Sequence, residues 1–365
     1  MRKYLLSGIL LFLSGLPVVS QNQTPAGKGS LQKVVLQLPP GNDNPRNSEG
    51  DFITLKKGRI LFIYTHYTGK SDHDHSPAYL TSRFSDDGGK TWSKEDITVV
   101  EKEGDMNVMS VSLLRLQNGN IALFYLRKNS AEDCIPMMRI STDEAETWSD
   151  PVACITDKKG YYVLHNNRVI QLKNGRLLFA VNGHGKVYAY HSDDNGATWN
   201  CSEEVPNPSG VVAHEPDVVE LKTGQVMMMI RTNGGFQYLS LSKDKGQTWS
   251  PMAASVLHSP LSPASITRIP STGDLLVVWN NNDGSNPQVA KERRTPLTMA
   301  ISKDEGKSWK YITDLETDPD GCFCYTAIHF TKKEVLLAYC AGVGRWDLSN
   351  MRILSLRQKD LYKKK

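Results

Sequence analysis

A short box of the form Ser-x-Asp-x-Gly-x-Thr-Trp recurs five times in this chain and constrains its fold more than any other feature. The copies start at Ser85, Ser141, Ser192, Ser242 and Ser302, with spacings of 56, 51, 50 and 60 residues. They hold five of the seven tryptophans, which argues against a chance match. In such a box the Asp, Ser and Thr side chains can hydrogen-bond to turn backbone, and Gly supplies a left-handed position. The box aspartates are therefore predicted to be structural rather than catalytic or calcium-binding.

A β-rich run precedes each box and predicts several strands per repeat. These runs cover residues 60–64, 121–125, 177–181, 226–230 and 275–279, and a sixth run at 335–339 has no box. Most runs follow a glycine turn, and a further strand signal precedes that turn. Several strands in each period of about 50 residues are typical of a propeller blade. We therefore predict an all-β fold, a six-bladed β-propeller with Asp-box repeats, without notable helices and closed by strands from both chain ends.

The two ends of the chain differ in composition from the repeats. Arg2 and Lys3 precede an apolar run over 5–16, and small and polar residues follow, as in a cleavable export signal. We predict a signal peptide over 1–20, a flexible segment over 21–30, a single propeller over 31–358 and a basic tail over 359–365. The first apolar run is too short to span a bilayer and no later run is longer, so we expect export without stable membrane insertion.

Charge and cysteine usage narrow the classes of partner and cofactor. Without residues 1–20 the chain keeps 41 basic and 39 acidic residues, a net charge of +2, and shows no basic face for nucleic acid. The cysteines have no zinc-like spacing, so we interpret them as mostly buried thiols with at most one or two disulfides. They are Cys134, Cys154, Cys201, Cys322, Cys324 and Cys340. No metal and no cofactor is predicted.

The segments between the boxes carry a more specific signal, over about residues 45–345. The fourth blade reads His-Glu-Pro-Asp from His214, then has a strand, a glycine turn and Arg231. The fifth blade has Arg294-Thr295-Pro296, eight residues before the box serine, and the sixth reads Cys-Tyr-Thr-Ala-Ile over 324–328. In this order the segments resemble those of the exo-α-sialidases. The resemblance implies that Tyr325 is the nucleophile, that Glu215 is its base, and that Arg231 and Arg294 bind a substrate carboxylate. Thr326 stands where the family usually has Ser.

Physical chemistry agrees with the roles that this resemblance implies. Sialic acid carries a carboxylate on its anomeric carbon, which would repel a carboxylate nucleophile but not a phenol. Tyrosine has a reference pKa of about 10 and needs a base, which Glu215 can provide; tyrosine nucleophiles of sialidases are a known exception among glycosidases. Arginine suits the substrate carboxylate because its guanidinium binds two oxygens and stays charged. The resemblance therefore implies a retaining exo-α-sialidase that acts on sialylated glycoconjugates.

A general acid is expected in the first-blade loop, where the sequence reads Gly-Lys-Ser-Asp-His-Asp-His-Ser over 69–76. Counting forward from the Gly58 turn favours Asp72, whereas counting back from Ser85 leaves Asp72 and Asp74 equally placed. Either aspartate can also be a solvated loop residue. A metal site in this run is the weaker interpretation, because mixed His and Asp loops are common.

The first blade departs from the sialidase pattern. The family usually has an Arg-Ile-Pro motif there, whereas this chain has Arg46 about two residues earlier. A shift of two keeps a strand side chain on the same face, so Arg46 either reaches the axis as the third arginine or lies on the surface. Glu49 and Asp51 near the axis would make the pocket less favourable for an anion. A sialidase-fold glycosidase for another sugar and a non-catalytic glycan-binding propeller therefore remain alternatives.

Several polar residues without an assigned role are also predicted near the axis, at strand starts. They are His165, Asn166, Asn167, Arg168, His214, Ser262 and Ser265. A pocket for a polyhydroxylated ligand needs such groups.

Overall fold

The computed structural model describes residues 32–363, and the predicted signal peptide and flexible segment lie outside this range. Six antiparallel sheets follow one another along the chain as six blades. The first blade comprises β2 (Asn47–Thr54), β3 (Ile60–Tyr67), β4 (Ala78–Ser85) and β5 (Ile97–Val100). The second comprises β6 (Asn107–Arg115), β7 (Ile121–Lys128), β8 (Cys134–Ser141) and β9 (Val152–Ala153). The third comprises β10 (Tyr162–Val163), β11 (Val169–Gln171), β12 (Leu177–Gly183), β13 (Lys186–Ser192) and β14 (Asn200–Cys201).

The last three blades have four strands each. The fourth comprises β15 (Ala213–Glu220), β16 (Val226–Thr232), β17 (Phe236–Ser242) and β18 (Ala253–His258). The fifth comprises β19 (Ser265–Arg268), β20 (Leu275–Asn280), β21 (Leu297–Ser302) and β22 (Lys310–Glu316). The sixth comprises β23 (Gly321–Phe330), β24 (Glu334–Val343), β25 (Met351–Arg357) and β1 (Gln32–Leu38). Because β1 pairs with β25, strands from the two ends of the described chain share the sixth blade. This confirms the predicted six-bladed propeller and its closure.

The hydrophobic core lies between the blades. Six clusters of buried apolar side chains each contain residues from two neighbouring blades, and together they run around the whole ring. Burial of apolar area stabilises a fold by about 25 cal/mol per Å². Because every cluster joins two blades, this stabilisation couples the blades to one another. The polar inner ends of the strands are thereby held in fixed relative positions.

The carboxylates of the box aspartates accept hydrogen bonds within their own turns. Asp143 accepts hydrogen bonds from the backbone N–H of Thr147, at 3.0 Å, from the Thr147 hydroxyl, at 2.5 Å, and from the Ser141 hydroxyl, at 2.8 Å. The hydrogen bonds from Thr147 and Ser141 lower the pKa of Asp143 to about 2. The same contacts recur at Asp194 and Asp304. The boxes therefore act as turn locks, as the sequence predicts.

One box lacks its glycine, and this offers a stability test. Ala145 adopts φ 67°, where the other four boxes have glycine at φ 86–93°. An L-residue with a Cβ is strained in this region. We expect Ala145→Gly to raise the free energy of unfolding by about 0.5–1 kcal/mol, measured by urea denaturation. Ala122→Gly, in the buried strand β7, should lower it; equal losses in both variants would contradict the strain argument.

The propeller extends beyond the end that the sequence predicts. Residues 359–363 are not a free tail: a 3₁₀ turn spans Gln358–Asp360, and Leu361 is buried in the cluster between the fifth and sixth blades. The Tyr362 hydroxyl donates to the Asp274 carboxylate at 2.8 Å. The lysines of this segment suggested a basic tail, but Leu361 and Tyr362 give it contacts with the propeller. Within residues 32–363, no helix has the length and apolar character that a membrane crossing requires.

The cysteines of the described chain are all free thiols. Five are buried and Cys201 is exposed, which agrees with the interpretation as mostly buried thiols. Cys322, Cys324 and Cys340 pack together beside Tyr325.

A shared irregularity of the inner strands shapes the axis. β2, β6, β15 and β23 each bulge near their inner end. The first bulged residues have positive φ: Glu49 at 54°, Ser110 at 60°, Glu215 at 43° and Tyr325 at 59°. A bulge re-aims a side chain, and such strained backbone concentrates at functional sites. Two of these four residues are ones that the sequence predicts for catalysis.

Candidate active site

A cavity of about 430 Å³ contains all six residues that the sequence predicts for the site. Its lining consists of Arg46, Asp72, His73, Asp74, Glu215, Arg231, Arg294, Tyr325, Trp346 and Leu348. These residues come from blades one, four, five and six and from the loop between β24 and β25. The fold thus brings together side chains that are up to about 300 residues apart in sequence.

Glu215 lies between Arg231 and His165. Arg231 donates from Nη1 to its Oε2, and His165 Nε2 lies 3.0 Å from its Oε1. The backbone N–H of Glu215 donates to Asn182 at 2.8 Å, which fixes the bulge. Burial alone would raise the pKa of Glu215, but the charge of Arg231 and the nearby His165 lower it well below its ordinary value. Glu215 is therefore an ionised carboxylate, ready to accept a proton once its arginine partner is engaged elsewhere.

Tyr325 is a buried phenol with cations around it. Its ring stacks on His165 with centroids 4.4 Å apart, and the Arg294 guanidinium lies 5.3 Å from the ring centroid. Burial and then the nearby Glu215 charge raise the pKa of Tyr325 well above its ordinary value, although Arg294 and Arg231 oppose them. The phenol is therefore protonated at rest, and an attack by its oxygen requires a base.

Arg231 and Arg294 keep donors free. Arg294 is 3% exposed and donates from Nη1 to Cys324 Sγ at 3.1 Å. Arg231 donates only to Glu215, and in both arginines the buried Nε has no protein partner within residues 32–363. A guanidinium has five N–H donors, so each of these arginines can still bind an anion in two-pronged fashion.

Arg46 lines the same pocket, but its guanidinium is already paired with other side chains. It is 2% exposed, so the surface alternative is wrong. Its Nε donates to Ser48 at 2.9 Å, its Nη1 to the Asp74 carboxylate at 2.5 Å, and its Nη2 to Glu49 at 3.1 Å. Two carboxylates thus neutralise Arg46, whereas Arg231 has one and Arg294 has only a thiol.

The two aspartates of the first-blade loop both line the pocket but differ in their contacts. Burial would raise the pKa of Asp74, but the charge and hydrogen bond of Arg46 lower it below its ordinary value. The Asp72 side chain makes no hydrogen bond within the described chain, and only its backbone carbonyl contacts Arg46, at 3.3 Å. The loop is anchored because Lys128 and Asn107 donate to the Asp74 carbonyl at 2.8 and 2.9 Å.

Sequence reasoning gave no role to four residues at this site. Ser110 donates to Glu49 at 2.9 Å, and His165 contacts both Glu215 and Tyr325. Trp346 is 49% exposed at the pocket mouth, 4.8 Å from the Arg294 guanidinium, and Leu348 lies beside it. A signal existed for Trp346, which is one of two tryptophans outside the boxes, and for His165, which is a polar residue at a strand start.

A larger groove of about 850 Å³ lies elsewhere, between the first two blades. Box residues such as Asp143 and Trp148 line it together with Arg59 and Arg139. None of the predicted site residues is there, and Asp143 is committed to its turn. The axial cavity is the better candidate for chemistry because it combines ionised and protonated groups with unpaired donors.

A ring of Asp-box blades around an axial pocket with three arginines, paired acids and a buried tyrosine defines a sialidase-fold propeller. Residues 80–337 match the family model of the BNR repeat-like domain, which covers most of the chain. The chain belongs to this family and, with its relatives and fold, to the sialidase superfamily of propellers.

Known relatives and structures agree with this assignment. A sialidase of Bacteroides fragilis is 26% identical over 358 residues, 85% of this chain and 62% of the relative. A Dyadobacter fermentans protein of unknown function superimposes with a TM-score of 0.71 at 20% identity, over 89% of this chain and 99% of that chain. The Streptococcus pneumoniae sialidase NanB gives a TM-score of 0.71 at 16% identity, over 91% and 71% of the two chains. The chain thus spans 62% of the length of the first curated relative, and the solved structures share its propeller fold.

Proposed function

We propose that the protein is a retaining exo-α-sialidase that removes terminal sialic acid from glycoconjugates. The observation that carries this proposal is the meeting of Tyr325, Glu215 and three arginines in one cavity. A binding protein gains nothing from a carboxylate base beside a buried phenol, whereas a tyrosine nucleophile requires one. Export by the predicted signal peptide, which we also propose, would bring the enzyme to glycans outside the cytoplasm.

Substrate binding would use the free donors of the arginines. The sialic acid carboxylate would bind Arg231 and Arg294, whose buried Nε–H groups have no protein partner. Arg46 would complete the set from the opposite blade. As the substrate carboxylate draws Arg231, its pairing with Glu215 weakens, and Glu215 becomes a stronger base. Binding and activation of the nucleophile would thereby be coupled.

The first chemical step would form a covalent intermediate. The Tyr325 oxygen attacks the anomeric carbon and gives its proton to Glu215, while the bond to the leaving oxygen breaks. Asp72 protonates that oxygen, since the Asp74 carboxylate is paired with Arg46 and the Asp72 carboxyl has no protein partner in the described chain. General acid catalysis of this kind contributes roughly 10²–10⁴-fold.

The second step would reverse the roles of the acid and the base. Asp72 takes a proton from water, the water oxygen attacks the anomeric carbon, and Tyr325 leaves and recovers its proton from Glu215. Two displacements restore the original configuration, so the product is released with retention.

Turnover of a fluorogenic α-sialoside tests the proposal directly. We expect release of free sialic acid whose first-formed anomer, followed by proton NMR, is α. Release of the β-anomer first would contradict the covalent mechanism, and the absence of turnover with every sialoside linkage would refute the sialidase proposal. Ala122→Gly, which should destabilise the buried strand β7, shows how far a loss of stability alone lowers turnover.

One observation favours a second candidate, a glycosidase for another sugar. Glu49 and Asp74 both pair with Arg46, so this side of the pocket offers less positive charge than three free arginines would. A screen of neutral and uronic glycosides distinguishes the two candidates. Turnover there, with none on sialosides, would favour this second function.

A further inference from the structure

His165 touches both members of the proposed nucleophile and base pair. It lies between β10 and β11 and is 5% exposed. Its ring stacks face to face on Tyr325, with centroids 4.4 Å apart and an interplanar angle of 9°. Its Nε2 lies 3.0 Å from Glu215 Oε1.

The contact with Glu215 determines which ring nitrogen carries hydrogen. An ionised carboxylate only accepts hydrogen bonds, so Nε2 is the nitrogen that can donate to Oε1 across the 3.0 Å that separates them. Both ring nitrogens are buried, and neither has a well-aligned hydrogen bond within residues 32–363. No protein group of the described chain therefore competes with Glu215 for the imidazole.

Charged groups face His165 from several elements. Glu215 on β15 and Glu49 on β2 are the nearest strand carboxylates, and Asp74 faces it from the loop between β3 and β4. Arg231 and Arg46 pair with these carboxylates, and the Tyr325 phenol covers one face of the ring. The imidazole thus lies at the centre of the ionisable groups of the pocket.

We infer that His165 is a positioning residue of the reaction: it holds the Glu215 carboxylate and the Tyr325 ring in line. This inference rests on the proposed function. A carboxylate held by one arginine alone can rotate when that arginine turns to the substrate. The donor from His165 keeps one oxygen fixed at that moment, and the stacked ring keeps the phenol oxygen in its position. Misplacement of a reacting group by 1 Å can cost about 10²-fold in rate.

Two substitutions separate the hydrogen bond from the stacking. His165→Gln keeps an N–H donor but neither stacks as an aromatic ring nor titrates, and His165→Phe keeps the stacked ring without a donor. We expect kcat on an α-sialoside to fall about 10²-fold in His165→Phe and less in His165→Gln, with KM changing less than kcat. Unchanged kcat in both variants would overturn the inference.

The hydrogen on the His165 ring can be measured without any turnover of a sialoside, so the inference can be tested independently of the proposed function. Long-range ¹H–¹⁵N correlation spectra of the wild-type protein should show His165 protonated at Nε2 at neutral pH, and Glu215→Gln should change this signal. If the wild type cleaves sialosides but the His165 variants behave like it, the inference fails and the function stands. If no sialoside is cleaved but the Nε2 proton is found, the function fails and the geometry stands. A ring protonated only at Nδ1 would refute the arrangement itself.

Discussion

Tyr325→Phe is expected to abolish sialoside turnover, lowering kcat at least about 10³-fold while leaving the fold intact. Phenylalanine fills the same buried space and keeps the stacking on His165. Only the oxygen is lost, and the mechanism assigns to this oxygen the bond to the anomeric carbon. Single-turnover assays with a fluorogenic α-sialoside measure the effect, and mass spectrometry of the quenched wild type should show sialic acid attached to Tyr325.

Tyr125→Phe is the matched control for this substitution. Tyr125 is also buried, and its hydroxyl donates to Glu103 at 2.6 Å, outside the pocket. This variant should lose about 1 kcal/mol of unfolding free energy and keep full activity. If Tyr325→Phe retains more than a tenth of wild-type activity, another nucleophile operates. If binding of sialosides persists in both variants without turnover in either, the protein is a glycan-binding propeller.

The fold was predictable from sequence because its signals are local. Each box is a turn whose hydrogen bonds lie within five residues, as at Asp143 and Thr147, and each β-rich run became the strand next to the innermost strand or strands of its blade. The chain end was less predictable. Leu361 packs into a cluster formed by two other blades, and a segment ending in lysines gives no local sign of such a contact.

Site residues were predictable where they stand in segments that resemble the family. They were not predictable where the three-dimensional geometry determines whether a side chain reaches the pocket. Glu215 and Tyr325 stand in recognisable segments, and both occupy bulges. Arg46 was ambiguous because its reach depends on the bulge at Glu49, which no local pattern announces. His165 was only one of several polar residues at strand starts. Its contact with Tyr325 joins residues 160 positions apart, and such a distance depends on how the ring closes.

Asp72→Asn is expected to lower kcat/KM about 10²–10³-fold for a sialoside with a sugar leaving group. Such a leaving oxygen is strongly basic and needs the proton that Asp72 supplies. An aryl leaving group departs as a weakly basic phenolate, so the same variant should lose less than about tenfold on an aryl sialoside, since proton donation then contributes little. Steady-state kinetics on both substrates measure this difference, and circular dichroism checks that the exposed loop substitution leaves the fold unchanged.

Asp74→Asn provides the comparison, because Asp74 lies in the same loop and differs in its partner. Its carboxylate pairs with Arg46 at 2.5 Å, and its lowered pKa keeps it ionised at neutral pH, without a proton to donate. Its loss should free Arg46 and change KM equally for both leaving groups. If the dependence on the leaving group appears in Asp74→Asn instead, Asp74 is the acid, and Arg46 must release it when substrate binds. The substrate carboxylate would then compete for Arg46, and binding itself would raise the pKa of Asp74.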